Sequence, residues 1–349
     1  MLGFSVYLSR ELDAGTHEYI HQMAQTGYET VFTSLHIPED DVNVLLTRLR
    51  QLTAWCQEEQ MQVVADVSAD GFERLGWSLQ DYQTVSSTGL TGLRIDDGIN
   101  MRDVALLSNH MLVALNASTL SEQDLTTLRT EQANFDNIEA WHNYYPRPDT
   151  GLDRQWFLSK NQWLHQHGLK VMAFVPGDGQ RRGPLFKGLP TLEEHRQIRP
   201  IWATVDLLNL DVDSVFVGDE TVTEDTMKTI AAYVQTGIIS LHVSGLPEKL
   251  QGTEWHNRPD VARDVIRFQE ARTRQLLSTE PGEVAQSRPV GSLTVDNSRY
   301  GRYAGEIQIT RHDLPADKAV NVVGRVCQAD RVALDLIDAH RAVQLVTDD

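Results

Sequence analysis

Residues 63–97 read VVADVSADGFERLGWSLQDYQTVSSTGLTGLRIDD. A run rich in valine carries Asp66 near its end, an amphipathic stretch follows, and a second apolar run ends on Asp96 and Asp97. Two short apolar runs separated by a helix-length stretch read as strand, helix, strand, with the strands parallel. The pattern continues in both directions. Upstream stand VYLSRE (6–11) and VFTSLHIPE (31–39); downstream stand LVALNAS (112–118), EAWHNYYPRP (139–148), VMAFVPGDG (171–179) and VFVGDE (215–220). The runs recur every ~20 to 45 residues, the length of one βα unit in a barrel of typically ~250 residues. Eight such units favour closure over an open sheet, so the expected fold is α/β, a TIM (β/α)8-type barrel.

The intervening stretches support this. Val42, Leu45, Leu46, Leu49 and Leu52 recur at three- and four-residue steps and make one apolar helix face. Pro38 and the acids Glu39, Asp40 and Asp41 suit that helix's start. A second helix around Trp156 and Leu164 stops at Gly168, and a third, from Thr223 to Val234, stops at Gly237. After Gly237 the pattern changes. One helix is expected over Pro259–Leu277, followed by a Ser/Pro/Gly-rich stretch over 278–291. Short β-branched segments then follow: SLTVD, GEIQITR, AVNVVGRV and AVQLV. The alternation at Glu306, Ile307, Gln308 and Ile309 indicates half-buried strands. The expected organisation is a catalytic barrel over residues 1–237 and a smaller, mostly-β domain over 238–349.

Composition narrows the function. Of 349 residues, 31 are Lys or Arg and 49 are Asp or Glu, a net charge of -18. Such a surface argues against nucleic acid or anionic membrane as partners, while local arginines could still hold an anionic small molecule. At 41% hydrophobic the chain can bury a full core. Cys56 and Cys327 match no metal spacing and read as thiols in a reducing compartment. No basic region with a long apolar run opens the chain, and no segment approaches about 18 consecutive apolar residues. The expectation is a cytoplasmic protein with no membrane partner; a homo-oligomer is left open.

In such a barrel the reactive groups stand at the C-terminal ends of the strands. The candidates are Glu11; His36 and Glu39; Asp66; Arg94, Asp96 and Asp97; Asn116; His142, Asn143, Tyr145 and Arg147; Asp178; and Asp219 with Glu220. No lysine stands at a strand end, which counts against a Schiff-base aldolase. Asp66 and Asp96 lie on the third and fourth runs, hence on strands about 4.8 Å apart. Carboxyl groups that close drive their proton affinities apart, and glycoside hydrolysis uses such a pair. Either could instead cap the helix that follows. Asp97, before Gly98, suits a turn. His36 and His142 could join acids around a divalent metal, but no compact ligand motif is present, so no metal and no cofactor are expected. His142 could equally be a satisfied barrel histidine. In PGDGQRRGPLFKGLP (176–190) the glycines could let backbone N–H groups approach an anion, with Arg181 or Arg182 pairing to it. Arg147, between prolines, is a second anion candidate. The segment 296–306, DNSRYGRYAGE, reads either as a flap or as a plain β-turn.

Together, FTSLHIPE, ADVS, LRIDDG, LNAST, HNYYPRPDTGL (142–152), RRGPLFKGLPTLEEHR (181–196), VGDE and RYGRYAGEIQI (299–309) resemble one bacterial family, the 6-phospho-N-acetylmuramidases. The resemblance runs in order over nearly the whole chain. It implies a TIM barrel followed by a cyclophilin-like β domain. It also implies an intracellular glycosidase acting on N-acetylmuramic acid 6-phosphate linked to N-acetylglucosamine. That disaccharide phosphate arises when a phosphotransferase system imports cell-wall fragments. The family pattern carries aromatic residues where this chain has Asp97 and Asp149, so neither is expected to be a required catalyst.

With the resemblance, Asp66 and Asp96 are expected as the catalytic pair, and Arg147 and Arg182 as ligands of the 6-phosphate. His36, Glu39, Arg94, Asn116, His142, Asn143, Tyr145 and Asp219 complete the expected substrate-binding set. An enzyme nucleophile and attack by the substrate's own 2-acetamido group remain alternative routes. The rival functions are a metal-dependent phosphosugar isomerase or epimerase and a non-catalytic sugar-phosphate-binding protein.

Overall fold

The computed structural model describes residues 1–35, 42–78, 82–96 and 98–348. The chain divides into two units, Met1–Ala231 and Ala232–Asp349. In the first, eight parallel strands close into a barrel in sequence order, with β1 paired to both β2 and β8. They are β1 (Leu2–Ser5), β2 (Thr30–Ser34), β3 (Gln62–Val67), β4 (Gly92–Ile95), β5 (Leu112–Asn116), β6 (Ile138–Trp141), β7 (Lys170–Val175) and β8 (Ser214–Val217). Each falls in or beside one of the apolar runs of the sequence. Helices α1 (Ala14–Gln25), α2 (Val42–Glu58), α3 (Ala69–Arg74), α4 (Tyr82–Ser86), α5 (Met101–Ser108), α6 (Glu122–Thr130), α7 (Arg154–Gln166), α8 (Pro200–Asn209) and α9 (Glu224–Thr236) connect them.

The strands are buried on both sides, as parallel strands under helices must be, and this is why they read as continuous apolar runs. Phe32, Val64, Trp141, Phe174 and Phe216 form the barrel's inner core. Burying each such aromatic contributes roughly 1.5–3 kcal/mol. On α2 the buried side chains are Leu45, Leu49, Leu52, Thr53 and Cys56, the stripe that the periodicity indicates. The proposed start of that helix, 38–41, lies outside the described residues.

Alternation along each strand decides what reaches the barrel mouth. Val64 points into the core, so Asp66, two residues on, points the same way. Register places Ser34 beside Asp66 and Asp66 beside Arg94, in one layer across β2, β3 and β4.

The second unit is a seven-stranded sheet in the order β10-β15-β9-β14-β12-β13-β11. Its strands are β9 (Ile239–Ser244), β10 (Glu254–His256), β11 (Val265–Arg267), β12 (Ser292–Asp296), β13 (Ile307–Thr310), β14 (Val320–Val326) and β15 (Ala342–Thr347). The helix expected over 259–277 is not formed. Val265–Arg267 pairs antiparallel with β13, and only Ala271–Arg274 (α10) is helical. Ile266 and Phe268 are both buried and two residues apart, which is strand spacing.

Candidate active site

A buried cation stands between the two candidate carboxylates. Arg94, 2% exposed, donates through one nitrogen, Nη1, to Asp66 Oδ1 at 2.5 Å and to Asp96 Oδ1 at 3.0 Å. Its Nη2 donates to Asn143 Oδ1. Burial alone would pull the guanidinium pKa down; attraction to Asp66 and Asp96 outweighs it, and the pKa is raised. The side chains of Asp66 and Asp96 are 15% and 37% exposed, so Asp96 is the one water reaches more readily. Asn143 is fixed from behind as well, its carbonyl accepting from Thr191 Oγ1 at 2.9 Å. Asn116 shares with Asp96 the wall of a cavity of about 130 Å3, and its Oδ1 accepts the Ser118 N–H. The acid-rich sequence list pointed to a carboxylate pair; the arginine that joins the pair is legible only once register is known.

The loops after β7 and β8 form a second cluster. Asp219, fully buried, accepts the backbone N–H groups of Gly177, Arg182 and Leu189 at 2.8, 3.0 and 3.1 Å. The glycine-rich cradle read as open to an external anion is therefore filled, at Gly177, by the protein's own carboxylate. Gly177 is required by close approach: a Cβ there would stand 2.4 Å from the Thr221 carbonyl oxygen. Asp219 thus shapes the loop rather than facing the mouth with free oxygens.

From that anchored loop Arg182 lays its guanidinium on the ring of Tyr7, 3.3 Å from the centroid. Cation–π contact of this kind holds the charge without neutralising it. The Arg182 Nη1 is buried and finds no acceptor among the described residues. Tyr7 is itself fixed, donating to the Gly218 carbonyl at 2.5 Å. Burial, with Tyr144 adding to it, raises its pKa well above the usual phenol value, so the ring stays neutral beside the cation. Neither Tyr7 nor Tyr144 stood among the sequence candidates. Their partners come from strands and loops remote in the chain, and nothing local marks them.

Other candidates go elsewhere. His142 lies between inward-facing Trp141 and Asn143 and so points outward, under α7. It is 0% exposed, its Nε2 lies 2.8 Å from Asn161 Oδ1, and its ring packs on Phe157. Among its alternatives, this is the buried barrel histidine, paired through Nε2 while its Nδ1 finds no partner among the described residues. Tyr145 donates its N–H to the Pro190 carbonyl at 2.9 Å, tying the loops after β6 and β7 together. Arg147 is exposed on the loop after β6, and its carbonyl accepts from Thr150 and Arg196. Asp178 accepts from Thr223 and Thr226 at the start of α9, and Glu220 pairs with Arg10 at 2.8 Å. Glu11 is exposed. His36, Glu39 and Asp97 lie outside the described residues.

His142 yields a pH prediction. Burial, the largest cause, pushes its pKa down to about 4 despite the Asn161 hydrogen bond. The unfolded imidazole titrates near ~6.5, so between the two values the unfolded chain binds more protons. Stability therefore falls as pH drops through that window, by up to about 3 kcal/mol. His142→Gln, which keeps a donor for Asn161, should flatten the decline of the thermal midpoint over that range. An unchanged slope would assign the acid sensitivity to other groups.

Among the described residues, Glu194, His195 and Asp206 converge closely enough to hold a metal. The site does not suit one. Arg154 already donates to Glu194 at 2.7 Å and to both Asp206 oxygens at 2.5 and 2.7 Å, and His195 lies 2.8 Å from Asp206. A guanidinium seated there neutralises the carboxylates and repels a second cation. Arg154 opens α7 and Asp206 lies in α8, so the cluster clamps two helices.

Comparison with known proteins gives a consistent result. Residues 2–232 match the family model described as 6-phospho-N-acetylmuramidase, N-terminal. Residues 241–346 match the one described as 6-phospho-N-acetylmuramidase, C-terminal. A crystal structure of a conserved Enterococcus faecalis protein with an unknown function is 42% identical, with a TM-score of 0.87 over 100% of this chain and 96% of that one. An uncharacterized B. cereus protein shares the fold at 23% identity, with a TM-score of 0.83 over 99% of both chains. No curated protein matches the sequence.

Proposed function

Given that the chain belongs to the 6-phospho-N-acetylmuramidase family and is a glycosidase, we propose that it hydrolyses the bond between N-acetylmuramic acid 6-phosphate and N-acetylglucosamine. The observation that carries this reading is the inequality of two cations at the mouth. Arg94 is charge-paired with two carboxylates, although its Nε also lacks an acceptor, whereas Arg182 has no carboxylate partner among the described residues and its buried Nη1 finds no acceptor. A half-buried cation without a carboxylate partner calls for an anion, and a phosphate supplies one with oxygens to spare. Arg147, exposed on the neighbouring loop, is a second contact for that phosphate at the rim.

Asp66 and Asp96 share the chemistry. Asp96, the more exposed, protonates the leaving oxygen as the bond from the anomeric carbon breaks. Asp66, held by Arg94, faces the developing positive carbon, either as nucleophile or by orienting the substrate's 2-acetamido carbonyl for the same attack. Water then adds to that carbon and returns a proton to Asp96. Asn143 and Asn116 stand beside the pair to contact hydroxyl or acetamido groups. The setting we propose is the recycling of cell-wall sugars in the cytoplasm. Among the described residues no helix is long and apolar enough to cross a membrane.

The test is hydrolysis of the disaccharide phosphate beside its unphosphorylated twin. Both sugars should be released from the phosphorylated compound alone. Arg182→Gln should lower kcat/KM on it roughly 10- to 100-fold, the worth of one charge-assisted contact. Equal cleavage of both compounds by the parent enzyme would remove the phosphate assignment.

A further inference from the structure

The loop that carries Arg182 ends in an apolar tip that the proposed chemistry leaves unused. Phe186 is 60% exposed and Leu185 beside it 44%. The Phe186 backbone is left-handed, at φ 53°, a region that residues with a Cβ seldom enter. Its N–H donates to the Arg182 carbonyl at 3.2 Å, and its ring folds back over Gly183, where an added Cβ would stand 3.0 Å from the ring. The ring is therefore held over Gly183, the residue after Arg182, its position set by a tight turn and by a glycine that makes room for it. The loop's base is fixed through Asp219. An aromatic ring that is both exposed and held in a costly backbone conformation has its compensation elsewhere, and such conformations gather at ligand sites.

We infer that Phe186 is the stacking platform for the pyranose ring of the sugar phosphate, covering the sugar's apolar C–H face while Arg182 holds its anion. This rests on the reading that the substrate is a phosphorylated sugar. Charge supports it: Arg181, Arg182 and Lys187 flank Phe186 in the sequence of a chain whose net charge is -18, so the loop is a basic segment suited to an anionic ligand. A second copy of the chain fits less well. A stable interface buries roughly 1,200–2,000 Å2, far more than a two-residue tip supplies, and a copy would bring a strongly acidic but phosphate-free surface.

The test is calorimetric binding of N-acetylmuramic acid 6-phosphate and of unphosphorylated N-acetylmuramic acid to the full chain. Phe186→Ala should weaken both by the same factor, about tenfold. Phe186→Trp should restore affinity, whereas Arg182→Gln should weaken only the phosphorylated sugar. If the parent binds both sugars equally and Phe186→Ala weakens both, the platform stands and the phosphate reading falls. If binding needs the phosphate but ignores Phe186→Ala, the platform is overturned and the phosphate reading stands. Parent-like sugar affinity together with loss of a dimer in Phe186→Ala would assign the tip to self-association and overturn the platform. No measurable binding of either sugar by the parent would overturn both.

Discussion

Asp66→Asn and Asp96→Asn should each fold and each lose roughly 10²- to 10⁴-fold in kcat on the disaccharide phosphate, the range for removing a positioned acid, base or nucleophile. The two variants should then differ with the leaving group. Asp96→Asn, without its acid, should recover most of its turnover on an aryl glycoside whose phenol departs unprotonated. Asp66→Asn should not, because good departure does not replace the group that meets the anomeric carbon. The measurement is kcat on natural and aryl substrates, with thermal midpoints as the folding control. Recovery in Asp66→Asn instead would exchange the two roles. Full turnover in both would remove the pair from the mechanism.

Arg94→Met should produce the larger structural effect. The arginine is buried and pairs with two carboxylates, one of them itself mostly buried. Breaking a buried pair leaves an uncompensated charge behind and costs about 3–5 kcal/mol. The barrel's unfolding midpoint should fall accordingly, and turnover with it, because the two acids then repel and separate. Arg94→Lys isolates the geometry. It keeps the charge but loses the planar fork that reaches Asn143 as well as both acids, so it should retain most of the stability and little of the turnover. Thermal unfolding and kcat, measured on both variants, check this. Arg94→Met with the parent's midpoint would show that the carboxylates relax into solvent at no cost.

The barrel was readable because each parallel strand is buried on both faces, which writes an uninterrupted apolar run into the chain. The second unit was harder. Its strand Val265–Arg267 is three residues long and takes its hydrogen bonds from β13, some forty residues further on, so local periodicity misread it as helix. The site shows the same division. Asp66, Arg94, Asp96 and Asn143 converge where strand ends converge, and the sequence placed all of them there. At Asp219 and His142 it named the residue but not its direction. An aspartate at a strand end looks the same whether it faces ligand or the amides of its own loop. A histidine one position out of phase faces a helix instead of the mouth. The stack of Arg182 on Tyr7 joins the loop after β7 to the end of β1, a distance in sequence across which no local pattern carries information.

The order in which the sheet of the second unit is assembled has a consequence for synthesis. β15 lies between β10 and β9, pairing antiparallel with the first and parallel with the second. The strand of this sheet that is last in sequence is therefore an interior strand, not an edge. Until Ala342–Thr347 emerges, β10 lacks its strand partner in the sheet and β9 offers a bare flank of amides and carbonyls. The barrel is complete much earlier, once β8 meets β1. Translation thus yields a finished barrel tethered to an unfinished sheet, and that interval is when the chain most needs protection from other strands.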